Sequence, residues 1–256
     1  MGKLHCLQVG CSDATIIVSA TETFLVDCHN LEGHAHLLPR SKFIRAVFIT
    51  HQHRDHFSGL EFLRDNGYTI GCFVYSPYER RYSDNSVELD EWNEFCAHRD
   101  YFESQGTALR APFRQTSWRA PYWVRDGIKF WMLGPFEDLT TSETRCLHDA
   151  CLVFRVDFNS TLRCTFTGDA SDSSLKKIAD NTTNFCNGIL HASHHGSING
   201  ADPDFITKSK ATHTLISTEA GTYSNVPHPT AVARYETNTP NKVYRTDIFG
   251  TAVWEF

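Results

Sequence analysis

This sequence predicts an α+β fold in which two β-sheets stack face to face and helices cover the outside. Three observations point to it. Strands, then helices, then strands recur twice along the 256 residues. The run Arg45–Thr50 is nearly all apolar, as a strand covered on both faces must be. The segments Cys151–Phe158 and Thr161–Thr167, joined at Asn159-Ser160, make the strongest hairpin signal in the chain. The expected architecture is a four-layer αββα sandwich. It takes residues 1–256 as one domain, with an elaborated segment at about 76–127.

The elements follow in order. Leu4–Val9, Thr15–Ser19 and Phe24–Asp27 read as three short consecutive strands, and Arg45–Thr50 as a fourth. Asp55–Arg64 carries Phe57, Leu60, Phe62 and Leu63, a short helix ending near Asn66-Gly67. A strand near Phe73 comes next. In Glu88–Gln105, Leu89, Trp92, Phe95, Cys96 and Phe102 form a helical stripe. Tyr122–Arg125 and Ile128–Leu133 are strands that lead to the hairpin. Helices near Ser171–Ala179, Pro203–Lys208 and Pro229–Glu236 alternate with strands at Gly188–Ala192, Thr212–Ser217, Lys242–Thr246 and Thr251–Glu255.

Composition narrows the class. At 41% hydrophobic the chain can bury a substantial core. Lys plus Arg is 24 and Asp plus Glu is 30, a net charge of −6 that draws neither a long nucleic-acid duplex nor an anionic membrane. The nine cysteines include no Cys-x-x-Cys pair. With no membrane-length apolar run and no signal-peptide pattern, the expectation is a cytoplasmic protein with free thiols, and no membrane partner.

The chemistry concentrates in His51-Gln-His53-Arg-Asp55-His56, directly after a buried strand. Imidazole nitrogen and carboxylate oxygen at a strand end suit Zn²⁺, Mn²⁺ or Fe, and this spacing favours two adjacent cations. Further ligand candidates stand at other strand ends. His148 precedes one strand, Asp169 follows another in Thr167-Gly168-Asp169, and His194 and His195 follow a third.

Taken with Phe24-Leu-Val-Asp27, Ser12-Asp13-Ala14, His194-His-Gly-Ser197, Pro227-His228-Pro229 and Tyr244-Arg-Thr-Asp247, these motifs resemble the metallo-β-lactamase fold family over the whole chain. Within it the chain looks most like the soluble hydrolase domain of ComEC competence proteins and its stand-alone relatives. The resemblance implies a sandwich of the metallo-β-lactamase type and two divalent metal ions, Zn²⁺ or Mn²⁺. It implies one cation on His51, His53 and His148, and the other on Asp55, His56 and one of His194 or His195, with Asp169 bridging. Asp27 would stand behind a ligand and fix it by hydrogen bonding. Two departures stand out. Gly10-Cys11-Ser12-Asp13 replaces the usual Gly-Gln-Gly-Asp, and His148 replaces an Asn common in ComEC-like chains, which restores the wider family's ligand.

Two cations would lower the pKa of a bridging water and give a metal-bridged hydroxide near neutral pH. Asp55 is the candidate to orient it or take its proton, and His228 a candidate proton donor to the leaving group. Arg114 and Arg119, among interleaved aromatics, are candidate substrate contacts suited to phosphates and bases. The resulting expectation is a phosphodiesterase or nuclease acting on single-stranded nucleic acid or nucleotides. The alternatives are an ester, thioester or lactone hydrolase, and a non-catalytic partner subunit that keeps the fold for binding.

Overall fold

The computed structural model describes residues 2–81, 84–159 and 161–256. Ser160, half of the expected hairpin turn, and Tyr82, in the elaborated segment, lie outside the described residues. The strands are β1 (Lys3–Cys6), β2 (Ala14–Val18), β3 (Thr23–Cys28), β4 (Phe43–Ile49), β5 (Thr69–Tyr75), β6 (Ala108–Arg110), β7 (Trp123–Arg125), β8 (Ile128–Gly134), β9 (Val153–Asp157), β10 (Arg163–Phe166), β11 (Ile189–His191), β12 (His213–Ile216), β13 (Lys242–Arg245) and β14 (Ala252–Glu255). The helices are α1 (Arg54–Phe57), α2 (Gly59–Asp65), α3 (Leu89–Ser104), α4 (Glu137–Thr140), α5 (Asp172–Asn181), α6 (Pro203–Ser209), α7 (Pro229–Asn238) and α8 (Thr246–Phe249). Among the described residues, no helix is long and apolar enough to cross a membrane.

Two seven-stranded sheets form, ordered β14-β1-β2-β3-β4-β5-β6 and β13-β12-β11-β10-β9-β8-β7. Each is antiparallel at one end and parallel at the other. In the first sheet β3, β4, β5 and β6 run parallel, and in the second β10, β11, β12 and β13 do. Parallel neighbours point their carboxyl ends the same way, so the loops that leave them gather at one edge.

Alternation along the strands separates the layers. Phe24, Val26, Ala46 and Phe48 face the other sheet, where they meet Phe130, Phe154 and Phe166. Leu25, Val47 and Ile49 face outward onto Phe57, Leu60, Phe95 and Phe102 of the helical layer. Val153 and Leu190, on the outer face of the second sheet, pack against Leu175, Ile178, Phe205 and Tyr235 of α5, α6 and α7. This gives the four layers expected of an αββα sandwich.

Local details depart from the sequence reading. The helix after the His cluster breaks into α1 and α2, because it must pass the end of β3 at close range. A Cβ at Gly59 would lie 1.7 Å from the Cys28 carbonyl oxygen, so only glycine fits. The three-residue edge strand β6, with no alternation to reveal it, was not anticipated, nor were the single-turn helices α4 and α8. The first strand ends at Cys6, short of Val9, and the last residues expected in the penultimate strand turn into α8.

Several aromatic and arginine residues of the elaborated segment make packing contacts. Trp123 enters the inter-sheet core beside Phe24, Phe48 and Phe130. Arg114 lies 5.5 Å from the Trp118 ring and 5.1 Å from that of Phe136, and donates to the Asn181 carbonyl and Thr182 Oγ1. Trp118 stacks on Trp131, which also carries Arg155 at 5.1 Å. This ladder pins residues 111–121 to the outside of the second sheet. Arg114, expected to contact substrate, is placed by the structure in this ladder.

Phe48 stacks between Phe130 and Phe154 with centroids 5.0 Å away on each side. Phe48→Ala is expected to lose about 3–5 kcal/mol of stability, read from urea unfolding midpoints, through lost burial and the cavity left behind.

Candidate metal centre

The site is assembled from strand ends. Thr50, at the end of β4, donates from its backbone N–H to Asp27 Oδ1 at 2.7 Å and from its hydroxyl to Asp27 Oδ2 at 2.8 Å. Asp27, at the end of β3, also accepts from His56 Nδ1 at 2.9 Å. The expected task of Asp27, fixing a neighbour by hydrogen bonding, is thus visible as a contact. Gly168, at φ +48°, turns the chain so that Asp169 faces the His cluster, and a Cβ there would meet Thr50 at 2.6 Å.

Backbone partners fix the tautomers. His53 Nε2 donates to the Ser86 carbonyl at 2.9 Å, which leaves Nδ1 as its free nitrogen. His195 Nδ1 donates to the Ser217 carbonyl at 3.0 Å, and His56 Nδ1 donates to Asp27, which leaves both Nε2 atoms free. The Thr50 hydroxyl gives its proton to Asp27 and so accepts from His51 Nδ1 at 3.2 Å, freeing His51 Nε2.

These free atoms converge. His51 Nε2 is 3.0 Å from His53 Nδ1, which is 3.4 Å from His148 Nε2. Ligands about 2.0–2.1 Å from a tetrahedral cation stand about 3.3 Å apart, so these spacings match the edges of one coordination shell. His56 Nε2 lies 3.3 Å from Asp169 Oδ1, and His195 Nε2 lies 3.3 Å from Asp55 Oδ2 and 3.7 Å from Asp169 Oδ1. One donor group is His51, His53, His148 and Asp169, and another is Asp55, His56 and His195. His56 Nε2, His195 Nε2 and Asp169 Oδ1 are buried with no hydrogen-bond partner among the described residues, and they face one another. Orphaned donors of this kind fit a cation, and the residues present suit a pair of divalent ions.

His194 and His195 both adopt left-handed backbone at φ +52°. That conformation costs a non-glycine residue roughly 1–2 kcal/mol, and here it splits the pair. His195 turns into the second donor group. His194 stays 27% exposed, edge-on to His148, with its Nε2 3.6 Å from Asp169 Oδ2. It lines a cavity of about 420 Å³ over the centre, together with His53, Asp55, Glu91, Tyr223 and Val226. Glu91, Tyr223 and Val226 were not singled out from the sequence. Nor was His191, whose imidazole meets the carboxylate of Asp13, a residue of the Ser12-Asp13-Ala14 motif, behind the centre at 3.4 Å.

Two expected contributors lie elsewhere. His228 caps α7, its Nδ1 accepting from the Thr230 N–H at 3.1 Å, and it is not among the cavity-lining residues. Arg119 is exposed on the segment pinned to the second sheet and does not line the cavity either.

Electrostatics divide the imidazoles. Burial holds His51 well below its ordinary range and His148 down to about 4. Burial also opposes charge on His56 and His195. Asp169 and its fellow carboxylates outweigh it, holding His56 well above the usual value and His195 up to about 10. For Asp55, burial is overcome by His56 and His195, which bring its carboxyl to about 2.

Two mixed sheets face to face, helices on both outer faces, and His and Asp donors gathered at one edge define the metallo-β-lactamase fold, and this chain has it. No protein-family model and no curated protein matches the sequence. Solved structures do match. The metallo-β-lactamase-fold protein YhfI from Bacillus subtilis aligns over 100% of both chains, with 14% identity and a TM-score of 0.59. A diphosphatase of the PhnP family aligns over 100% of this chain and 98% of its own, with 14% identity and a TM-score of 0.54. A mutant of the CmlA β-hydroxylase aligns over 100% of this chain but 54% of its own, with 12% identity and a TM-score of 0.62.

The shifts set a pH dependence for the chelated protein. His195 is raised from 6.5 to about 10, so its contribution is complete below 6.5 and is lost as pH rises through 10. His148 is lowered from 6.5 to about 4, so stability falls as pH drops from 6.5 toward 4. The melting temperature of chelated protein should therefore peak near pH 6.5. Saturating Zn²⁺ should flatten the alkaline limb, since coordination replaces the protons on the Nε2 atoms. An unchanged alkaline limb in differential scanning fluorimetry would contradict this.

Proposed function

We propose that this chain is a two-cation hydrolase that cleaves phosphodiesters in single-stranded nucleic acid or nucleotides. Within its fold we place it nearest the ComEC-like group, on the motifs from His194-His-Gly-Ser197 and Pro227-His228-Pro229. The observation that carries the reading is the composition of the donor set. His51, His53 and His148 would hold one cation, Asp55, His56 and His195 would hold the other, and Asp169 lies within reach of both groups. Two carboxylates, Asp55 and Asp169, would meet the two divalent ions directly, while Asp27 and Asp13 stand behind the imidazoles, so on the open side the cations are the charge that an anionic substrate would meet. The 420 Å³ cavity is of a size to admit a nucleotide.

When bound, the cations, Zn²⁺ or Mn²⁺, supply Lewis acidity and lower the pKa of a shared water. Asp55, 26% exposed and lining the cavity, is placed where it would orient an attacking water and accept a proton at a carboxylate oxygen. His194 faces the substrate side and delivers a proton from its ring to the departing oxygen. His194 suits that task better than His228, which is engaged as a helix cap.

A second reading, hydrolysis of an uncharged ester, thioester or lactone, has one observation in its favour. Among the described residues, the cavity wall includes Glu91 and no Lys or Arg. The complete donor set argues against a non-catalytic binding subunit.

Elemental analysis should find two metals per chain. Cleavage of bis(p-nitrophenyl) phosphate and single-stranded oligonucleotides should fall at least about 10³-fold in Asp55→Ala and Asp169→Ala. His194→Ala should lower kcat by about 10²–10⁴-fold and leave metal content intact. Turnover of thioesters or lactones with no phosphodiester cleavage would overturn the proposal.

A further inference from the structure

Asp13 belongs to the loop Val9–Asp13 that precedes β2, and it lies behind the second donor group, on the side away from the cavity. It is buried, and its Oδ1 has no hydrogen-bond partner among the described residues. A buried carboxylate without partners is costly, so its neighbours must answer its charge. Three imidazoles stand against it. Asp13 Oδ1 is 3.4 Å from His191 Nε2 and 4.0 Å from His195 Nδ1, and Asp13 Oδ2 is 3.8 Å from His56 Nδ1. His56 and His195 are the two imidazoles of one donor group, and Asp13 faces both from behind their free nitrogens.

The same loop is tied by backbone contacts to the segments that carry those ligands. The Asp13 N–H donates to the Asp55 carbonyl at 3.1 Å. The Ser217 hydroxyl donates to the Ser12 carbonyl at 2.6 Å, and it is the Ser217 carbonyl that fixes His195. Beside Asp13 is a small space of about 10 Å³, walled on its polar side by Thr15, Asp27, Thr50 and His191. That is about the volume needed for the centre of one water, and several polar partners surround it. His191 Nδ1 is a second buried, unpartnered polar atom there.

We infer that Asp13 is a positioning residue for the second cation, partnered by His191 and by one buried water held between Asp13, Asp27 and His191. The inference rests on the two-cation reading. Asp27 and the Thr50 hydroxyl hold His56 at Nδ1, and the Ser217 carbonyl holds His195 at Nδ1. Asp169 and Asp55 face both rings from the Nε2 side, and among the described residues Asp13 is the carboxylate that faces both from the Nδ1 side, so it couples the orientation of one ring to that of the other.

The test is a calorimetric titration of chelated, folded protein with Zn²⁺, with elemental analysis of the loaded chain. Asp13→Asn, nearly the same shape, should weaken the second zinc by about 10–100-fold and leave the first at wild-type affinity. His191→Leu should do the same. His191→Gln, whose amide nitrogen can take the place of Nε2, should restore most of the loss, which a purely space-filling role would not produce. Circular dichroism establishes that each variant is folded, and the His191 pair decides the matter should Asp13→Asn fail to fold. Two zincs at wild-type affinity in Asp13→Asn and His191→Leu would overturn the inference. A wild-type chain that takes up fewer than two zincs would overturn the two-cation reading itself, and it is told apart because no variant is involved.

Discussion

The Asp27 carboxylate accepts from the Thr50 backbone, the Thr50 hydroxyl and His56 Nδ1, all within the core of the molecule. It is a buried carboxylate that accepts three hydrogen bonds, which offset part of the cost of taking it out of water. The consequences spread outward. The contact locks the ends of β3 and β4 together, so the chain leaves β4 in one direction only. It frees Thr50 Oγ1 to accept from His51, and it turns the His56 ring so that Nε2 points at Asp169. Burial pushes the Asp27 carboxyl upward while His56 pulls it down. The pair holds its geometry because each partner answers the other's charge.

The second sheet repeats the device with different atoms. Asp169 follows β10, the His pair follows β11, and Ser217 follows β12, three parallel neighbours whose ends face the same edge. Hydrogen bonds cross between them. The His194 N–H donates to the Gly168 carbonyl, and the Ser193 hydroxyl donates to the carbonyls of Gly168 and Ala170. Each ligand-bearing loop is thus anchored to its neighbour before any cation is considered. A donor array held rigid in this way binds metal without first ordering a loop, which is what pre-organisation contributes to affinity.

Much of this was legible in the sequence for a physical reason. Residues that bind a cation must be a few specific types, and in a sandwich they must stand at strand ends, so His51, His53, His148 and Asp169 announce themselves by type and position together. The choice within the His194-His195 pair was not legible. It depends on two successive left-handed residues and on the Ser217 carbonyl, 22 positions away. Asp13 stood in a quoted motif, but its surroundings were hidden for the same reason, since its neighbours come from α1, β11 and the loop after it. Arg114 misled because interleaved arginine and aromatic residues have one composition whether they line a groove or stack as a ladder. Only the placement of Trp118 on Trp131 separates the two.

The division of labour follows from where these parts stand. The donor atoms are fixed from behind by Asp27, Ser86 and Ser217, so the chemistry of activation is set by buried groups that never meet a substrate. The front is built from elements outside that scaffold. Glu91 comes from α3, and Tyr223 and Val226 come from the loop after β12. Glu91 also accepts from the Arg54 backbone N–H, next to the ligand loop. A fold that hosts a diphosphatase and a β-hydroxylase can differ at such wall positions while its frame stays the same. In this chain the wall brings one carboxylate and one phenol to the mouth of the cavity. On the proposed phosphodiesterase reading, neutralisation of a substrate phosphate would then come from the centre itself, and Glu91 would disfavour a second phosphate held close to the first. Geometry of this kind suits the cleavage of a single exposed phosphodiester at the mouth better than the tracking of a long backbone.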